Sequence, residues 1–319
     1  VRPKALRKLG AAHFPLTRPM WPSSVPRPPK RRRVGLDYDT AWSRRYPARL
    51  VRAILTDNVT VPLTRFVAPA IIEGGAALER LQGPVIIASN HASHADTGVL
   101  IAALPLHLRH KVVVAAASDY FFDTPLKATM ASLVLGAIPI ERTKVSRRSA
   151  ASALELLADG WSVIIYPEGG RTHDGWMRDF KSGAAFLSVR SGVPVIPVYL
   201  EGTARVLPKR PVEKGDAPGG SGSESTASSR IRRAPVTVLI GRALRPTADE
   251  DARGFGPRIE AAVAELGREA STDYWTARRS PDPALTYGPE AAAWRRSWAL
   301  PAPRRVTERQ PLPDWPTQS

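Results

Sequence analysis

The chain has 319 residues, 43% of them hydrophobic, enough for one core of ordinary size with extra segments, and its length leaves one or two domains open. A net charge of +17 and a pI near 10.8 call for an anionic partner, which nucleic acid, anionic lipid headgroups or phosphorylated and CoA-type substrates would all satisfy. Cysteine is absent, which excludes disulfides, thiolate nucleophiles and Cys-based zinc or iron–sulfur sites.

The charge is uneven. Residues 1–50 hold thirteen Lys/Arg against Asp37 and Asp39, a net of +11, so only +6 remains for the rest and the body is not a uniformly basic nucleic-acid binder. Residues 1–46 read as a basic, Pro-rich arm. It has seven prolines and the run Lys30-Arg31-Arg32-Arg33, a composition that buries too little apolar surface to offset chain entropy, so disorder is expected. The N-terminus lacks the apolar run of a signal peptide, and the longest apolar stretches, Thr97–Leu106 and Ala128–Ile140, fall short of the roughly 20 residues of a spanning helix. The expectation is a cytoplasmic protein, or one attached peripherally to the cytoplasmic face of the cell membrane.

Leu50–Ile72 alternates apolar clusters with Arg52, Asp57 and Arg65, which predicts one or two amphipathic helices interrupted near Pro62. They would lie either on a membrane surface or on the core. From Val85 to Val198 short apolar runs alternate with helical stretches. Strands are expected at Val85–Ala88, Val112–Ala115, Ala137–Ile140, Val163–Tyr166 and Val195–Val198, and helices near 96–104, 126–135, 147–158 (capped by Ser146) and 182–190. This pattern predicts an α/β domain over 47–270, with a mixed, largely parallel sheet flanked by helices. Within it, 209–233 is a Gly/Ser-rich flexible insertion, Val236–Ile240 a further strand and Gly256–Leu266 a terminal helix. Residues 271–319 form a tail rich in Pro and Arg, with Trp275, Trp294, Trp298 and Trp315, which is also expected to be disordered.

Four short blocks carry the chemistry. Asn90-His91-Ala92-Ser93-His94-Ala95-Asp96 leaves the end of a strand, where α/β sheets place their sites. A turn can bring Asp96 to the His91 imidazole, where a carboxylate on one ring nitrogen fixes the tautomer and leaves the other as a general base. Taken alone, the block reads equally well as a polar turn in which His91 caps a helix. His94 reads as a surface or supporting residue, and a metal on His91, His94 and Asp96 lacks the distant ligands that would support it. Tyr166-Pro167-Glu168-Gly169-Gly170-Arg171-Thr172 also follows a strand. Its glycines admit a ligand near the backbone and Arg171 offers a fork for phosphate, although a Gly-Gly turn with a surface ion pair is the plainer alternative. Gly136–Arg142 ends in the pair Glu141-Arg142, and Val193–Val198 looks structural.

In order and spacing these blocks resemble the glycerolipid acyltransferase family, of the 1-acylglycerol-3-phosphate acyltransferase type. Asn90, His91, Ser93 and Asp96 match its N-H-x-S-x-x-D block, Gly136 to Glu141-Arg142 its second, Tyr166–Arg171 its aromatic-P-E-G-T-R block, and Val193–Val198 its apolar block; Phe180-Lys181-Ser182-Gly183 looks like its F-K-x-G. The resemblance covers roughly residues 50–245. It departs at Gly170, where the family usually has Thr, a lost hydroxyl that would weaken one hydrogen bond to the acceptor phosphate; Glu141 keeps the charge of the commoner Asp.

The resemblance implies a glycerol-3-phosphate acyltransferase-like fold. In it His91 acts as general base with Asp96, and Asn90, Ser93, Arg142, Glu168, Gly169, Gly170 and Arg171 bind substrate. It implies an acyl-CoA or acyl carrier protein thioester as co-substrate, a lysophospholipid as acceptor and a membrane surface as partner. It calls for no metal, cofactor or nucleic acid. No acyl-enzyme is required, in keeping with the lack of cysteine and of a G-x-S-x-G elbow.

Overall fold

A computed structural model of the chain describes residues 34–141, 147–172, 177–207 and 231–267. Residues 1–33, most of the Gly/Ser-rich insertion, the tail, Arg142 and Ser146 lie outside the described residues. The apolar runs form strands β1 Ala70–Glu73, β2 Ile86–Ser89, β3 Val112–Ala117, β4 Ala137–Ile140, β5 Ser162–Ile165, β6 Val195–Glu201 and β7 Val236–Ile240. Branched Val and Ile side chains suit a pleated surface, and runs that are apolar on both faces need cover on both.

Among the described residues the sheet order is β1-β7-β6-β2-β5-β3-β4. β6, β2, β5, β3 and β4 run parallel, β7 is antiparallel to β6, and β1 pairs parallel with β7. The sheet is therefore mixed and largely parallel. Alternation along the strands divides the apolar side chains between two cores. Ile87, Val114, Ile164 and Ile196 pack on the side of helix Ala95–Ala103. Ile86, Val113, Val163 and Val195 pack on the side of helices Arg147–Ala158, Gly183–Ser191 and Ala252–Leu266.

Three expectations change. Residues 34–46 belong to the folded body rather than to a disordered arm: Gly35 N–H donates to the Phe122 carbonyl at 2.7 Å, and the Tyr38 ring packs on Phe122. Leu50–Ile72 is not wholly helical, because Ala70–Glu73 is an edge strand beside β7. Pro62 does not break the helical run; Ala48–Leu55 passes through a π-type turn at Thr56–Thr60 into Val61–Val67. A wide turn ahead of a proline accommodates the ring that would strain a regular helix.

Ile164 lies in the fully buried strand β5 between two parallel neighbours. Ile164→Ala should lower unfolding stability by about 2–5 kcal/mol, read from the urea midpoint, with the m-value unchanged.

Candidate active site

β2 and β5 are neighbours in register, with Ala88 opposite Ile165. Three residues beyond each pair member come His91 and Glu168, so the two polar blocks meet where their strands end. His91 Nδ1 lies 2.7 Å from Asp96 Oδ2, and the same oxygen accepts the Ala92 N–H at 2.8 Å and the Ser93 N–H at 2.9 Å. Asp96 is fully buried, in the first turn of helix Ala95–Ala103, and His91 is 17% exposed. An oxygen already taking two amide protons is an acceptor, so Nδ1 carries the imidazole proton and Nε2 is the basic nitrogen.

The ring is also held from behind. Tyr166 stacks on His91 with centroids 4.1 Å apart, and its hydroxyl is 3.0 Å from Thr97 Oγ1. Burial, and then the Asp96 charge, hold the Tyr166 phenol well above its usual range, so the ring stays neutral. The His91 backbone is fixed twice: its N–H donates to Glu168 Oε1 at 2.7 Å, and its carbonyl accepts the Thr172 N–H at 2.8 Å.

A cavity of about 770 Å3 opens at this point. Its polar end includes His91, His94, Glu141, Gly169, Arg171 and Lys181. It then runs between the sheet and helices Arg147–Ala158 and Gly183–Ser191, past Ala115, Ala153, Val163, Ile165 and Leu187. Alanines at 115, 150 and 153 leave room that larger side chains would fill. Gly169 has φ +72°, and a Cβ there would come within 2.6 Å of Lys181 Nζ, so the lysine crosses a glycine backbone at the cavity mouth.

The sequence-derived site residues separate into two groups. His91, Gly169, Gly170 and Arg171 line the cavity; Asn90, Ser93, Asp96 and Glu168 do not. For Asn90, Ser93 and Glu168 the expected substrate contact is replaced by contacts within the protein. Asn90 exchanges two hydrogen bonds with the Leu200 backbone, tying β2 to β6, and Ser93 Oγ donates to the Leu207 carbonyl. Glu168 is buried and accepts backbone N–H groups from His91 and Arg178. Buried polar groups must find partners, and backbone amides close to them in the fold supply these.

Of the two roles expected for His94, surface or supporting, the structure fits the second better. His94 lines the cavity, stacked on Tyr120, whose hydroxyl is 3.3 Å from Nε2. The parts that sequence reasoning missed are Tyr166 as a stacking partner, Thr97, Tyr120 and Lys181; two of them had a signal, Tyr166 as the aromatic of its block and Lys181 by its place in Phe180-Lys181-Ser182-Gly183. Among the described residues no group of three or more His, Asp or Glu side chains is placed to hold a metal ion.

Residues 70–201 match the family model described as Acyltransferase. They form an acyltransferase-family domain. A 1-acyl-sn-glycerol-3-phosphate acyltransferase of Chlamydomonas reinhardtii is 31% identical over 172 residues, 53% of this chain and 44% of its own length. A chloroplastic relative of the same name from Brassica napus is 32% identical over 43% of this chain and 38% of its own. The alpha form from Ovis aries is 30% identical over 60% of each. The chain thus spans less than two thirds of the length of these relatives. The crystal structure of PlsC, the 1-acyl-sn-glycerophosphate (LPA) acyltransferase of Thermotoga maritima, superposes with a TM-score of 0.50 at 19% identity, over 72% of this chain and 83% of that one, which shows that the acyltransferase domain shares its fold.

The geometry of Asp96 makes a specific prediction. The two backbone donors would hold an Asp96→Asn amide with its oxygen in the place of Oδ2, so His91 keeps its tautomer but loses the charge beside it. A downfield Nδ1–H proton resonance is expected in the wild type and in Asp96→Asn, and its absence in Asp96→Ala. Loss of the signal in Asp96→Asn would show that the backbone donors do not set the amide.

Proposed function

We propose that the acyltransferase domain moves a fatty acyl group from an acyl-CoA or acyl carrier protein thioester to the free hydroxyl of 1-acyl-sn-glycerol 3-phosphate, giving phosphatidic acid for phospholipid synthesis. The observation that carries this reading is the position of His91. Its Nδ1 is committed to Asp96, and it lines a cavity that also takes in Arg171, Lys181 and Glu141 and is otherwise largely apolar. His91 Nε2 takes the hydroxyl proton as the acceptor oxygen attacks the thioester carbonyl. The C–S bond then breaks and the imidazolium returns the proton to the departing thiolate. Asp96, buried and acceptor-only, stabilises the imidazolium between these steps. Arg171 and Lys181 suit the acceptor's phosphate, and the apolar stretch past Val163 and Leu187 suits an acyl chain. Glu168, Asn90 and Ser93 act by positioning. The acyl thioester is a co-substrate, and the mechanism calls on no cofactor.

Lyso-lipid acceptors reside in bilayers, and the N-terminal helices suit that location. Leu50 and Ile54 on Ala48–Leu55, and Leu63 and Phe66 at 60% and 65% exposure on Val61–Val67, point to solvent, whereas Arg52 is buried. An outward apolar stripe of this kind favours a peripheral seat on a membrane surface. No helix among the described residues is long and apolar enough to cross one.

Purified protein supplied with labelled acyl-CoA and a panel of lyso-lipids should form labelled phosphatidate. His91→Ala should cut the rate by about 10²–10⁴-fold, with binding to lipid vesicles retained. Transfer to no lyso-lipid by the wild type, or full turnover by His91→Ala, would sink the reading.

One observation favours a second acceptor, another lysophospholipid or lipid alcohol. Gly170 lines the cavity at the position where the resembled aromatic-P-E-G-T-R block has Thr, and a Cβ there meets nothing within 4 Å. Gly170→Thr should therefore leave the melting temperature unchanged and raise kcat/KM for lysophosphatidate over lysophosphatidylcholine by roughly tenfold, the worth of one hydrogen bond to a charged group. An unchanged acceptor profile would remove position 170 from acceptor choice.

A further inference from the structure

A second cavity of about 350 Å3 lies at the other end of the strands from His91 and is lined by Arg44, Tyr46, Arg49, Arg52, Arg109 and His110, among others. Its separation from the active site follows from one strand. Arg52 Nη2 donates to the carbonyl of Val112, the first residue of β3, whereas the catalytic cavity reaches Ala117, the last. The catalytic cavity is lined along the same strand from Val114 onward, and the two cavities share no lining residue.

Arg52 is the unusual member. On a helix whose Leu50, Val51 and Ile54 face outward, its guanidinium is turned inward and is only 5% exposed. Space is made for it by Gly136 at φ +64°, where a Cβ would fall 2.4 Å from Arg52 Cζ. The Trp161 ring lies 5.8 Å from Arg52 Cζ and 5.4 Å from Arg49 Cζ. Arg52 Nη1 is buried with no hydrogen-bond partner among the described residues. A buried guanidinium is costly unless its donors are met, and this one borders a cavity into which Arg44 and Arg49 bring two more positive charges, so an anion there would relieve all three.

The charge balance agrees. Asp57 pairs with Arg109 and His110, and the charges of Asp39 and Asp159 act on Arg44 from beyond ion-pair distance, but among the described residues no carboxylate forms an ion pair with Arg44, Arg49 or Arg52. Burial, and then Arg44 and Arg49, push Arg52 down to about 10, still charged at neutral pH and relieved by an anion.

We propose that this cavity is a second anion site that takes a phosphate group, held by Arg44, Arg49 and Arg52 and separate from the catalytic cavity. Guanidinium forks match phosphate oxygens, and the volume sits at the low end of the range for small-ligand sites, about 300–1,000 Å3. The phosphate belongs either to a lipid headgroup or to a soluble phosphate compound. Exposed Tyr46 and Leu50 at the mouth, continuous with Ile54, favour the headgroup.

The test uses the full chain in three forms: wild type, Arg44→Gln/Arg49→Gln, and Arg242→Gln/Arg253→Gln, which removes the same charge from exposed positions elsewhere. Arg52 itself is left intact because its loss would disturb the fold. Binding to phosphatidylcholine vesicles with and without phosphatidylglycerol is measured by co-sedimentation, and inorganic phosphate is titrated by thermal shift against chloride of equal ionic strength. The cavity variant should lose at least about tenfold more affinity than the control variant, either for anionic vesicles, which assigns a headgroup, or for inorganic phosphate alone, which assigns a soluble ligand. Equal behaviour of the cavity and control variants in both assays would overturn the site.

Discussion

Asp96 Oδ2 collects three donors, the His91 imidazole and the backbone N–H groups of Ala92 and Ser93, and the geometry of the site hangs on that oxygen. The two amides belong to the turn that links β2 to helix Ala95–Ala103, so the bonds that close this turn also set the imidazole. Tyr166 on one side and Glu168 through the backbone bring β5 into the arrangement. Because these contacts are buried, each is stronger than it would be in water, and the loss of one leaves a neighbour unsatisfied. The histidine is thus fixed by the fold on three sides and open to the cavity on the fourth.

The sheet supplies the second requirement, a long apolar space beside a charged mouth. Strands that are apolar on both faces bring helices to both, and the cavity lies on the face where Arg147–Ala158 and Gly183–Ser191 cover β3 and β5. Small side chains at Ala115, Ala150 and Ala153 keep that layer from closing. The antiparallel turn at β7 carries the remaining strands away from the site, so the five parallel strands alone present their C-terminal ends to it.

Much of this was legible in the sequence. Val112–Ala115 and Val195–Val198 read as strands because Val and Ile recur without polar interruption, and helix 147–158 because its leucines keep helical spacing. His91 and Asp96 were legible as a pair because five residues separate them across a strand-to-helix turn. The role of Glu168 was hidden, since an acidic residue in a Gly-rich loop looks like a ligand group until its amide partners, one of them 77 positions away, are seen. Ala70–Glu73 was missed because its four residues are exposed and its partner β7 lies more than 160 positions later; nothing local distinguishes such an edge strand from a helix end. Arg52 read as a polar position of an amphipathic helix whose apolar side faced either the core or a membrane; in the structure Arg52 is buried, and Leu50 and Ile54 face outward. The periodicity gives the stripe, and only the surroundings decide which side is wet.

The empty space around Gly170 has a consequence for how the site can change. Residues that set the catalytic geometry here are also residues that hold strands together, so changing Asn90 or Glu168 trades activity against folding. Position 170 carries no such double duty: it lines the cavity, and a Cβ there meets nothing within 4 Å. The lining of the cavity can therefore change at this position while the contacts that hold the strands together are left as they are.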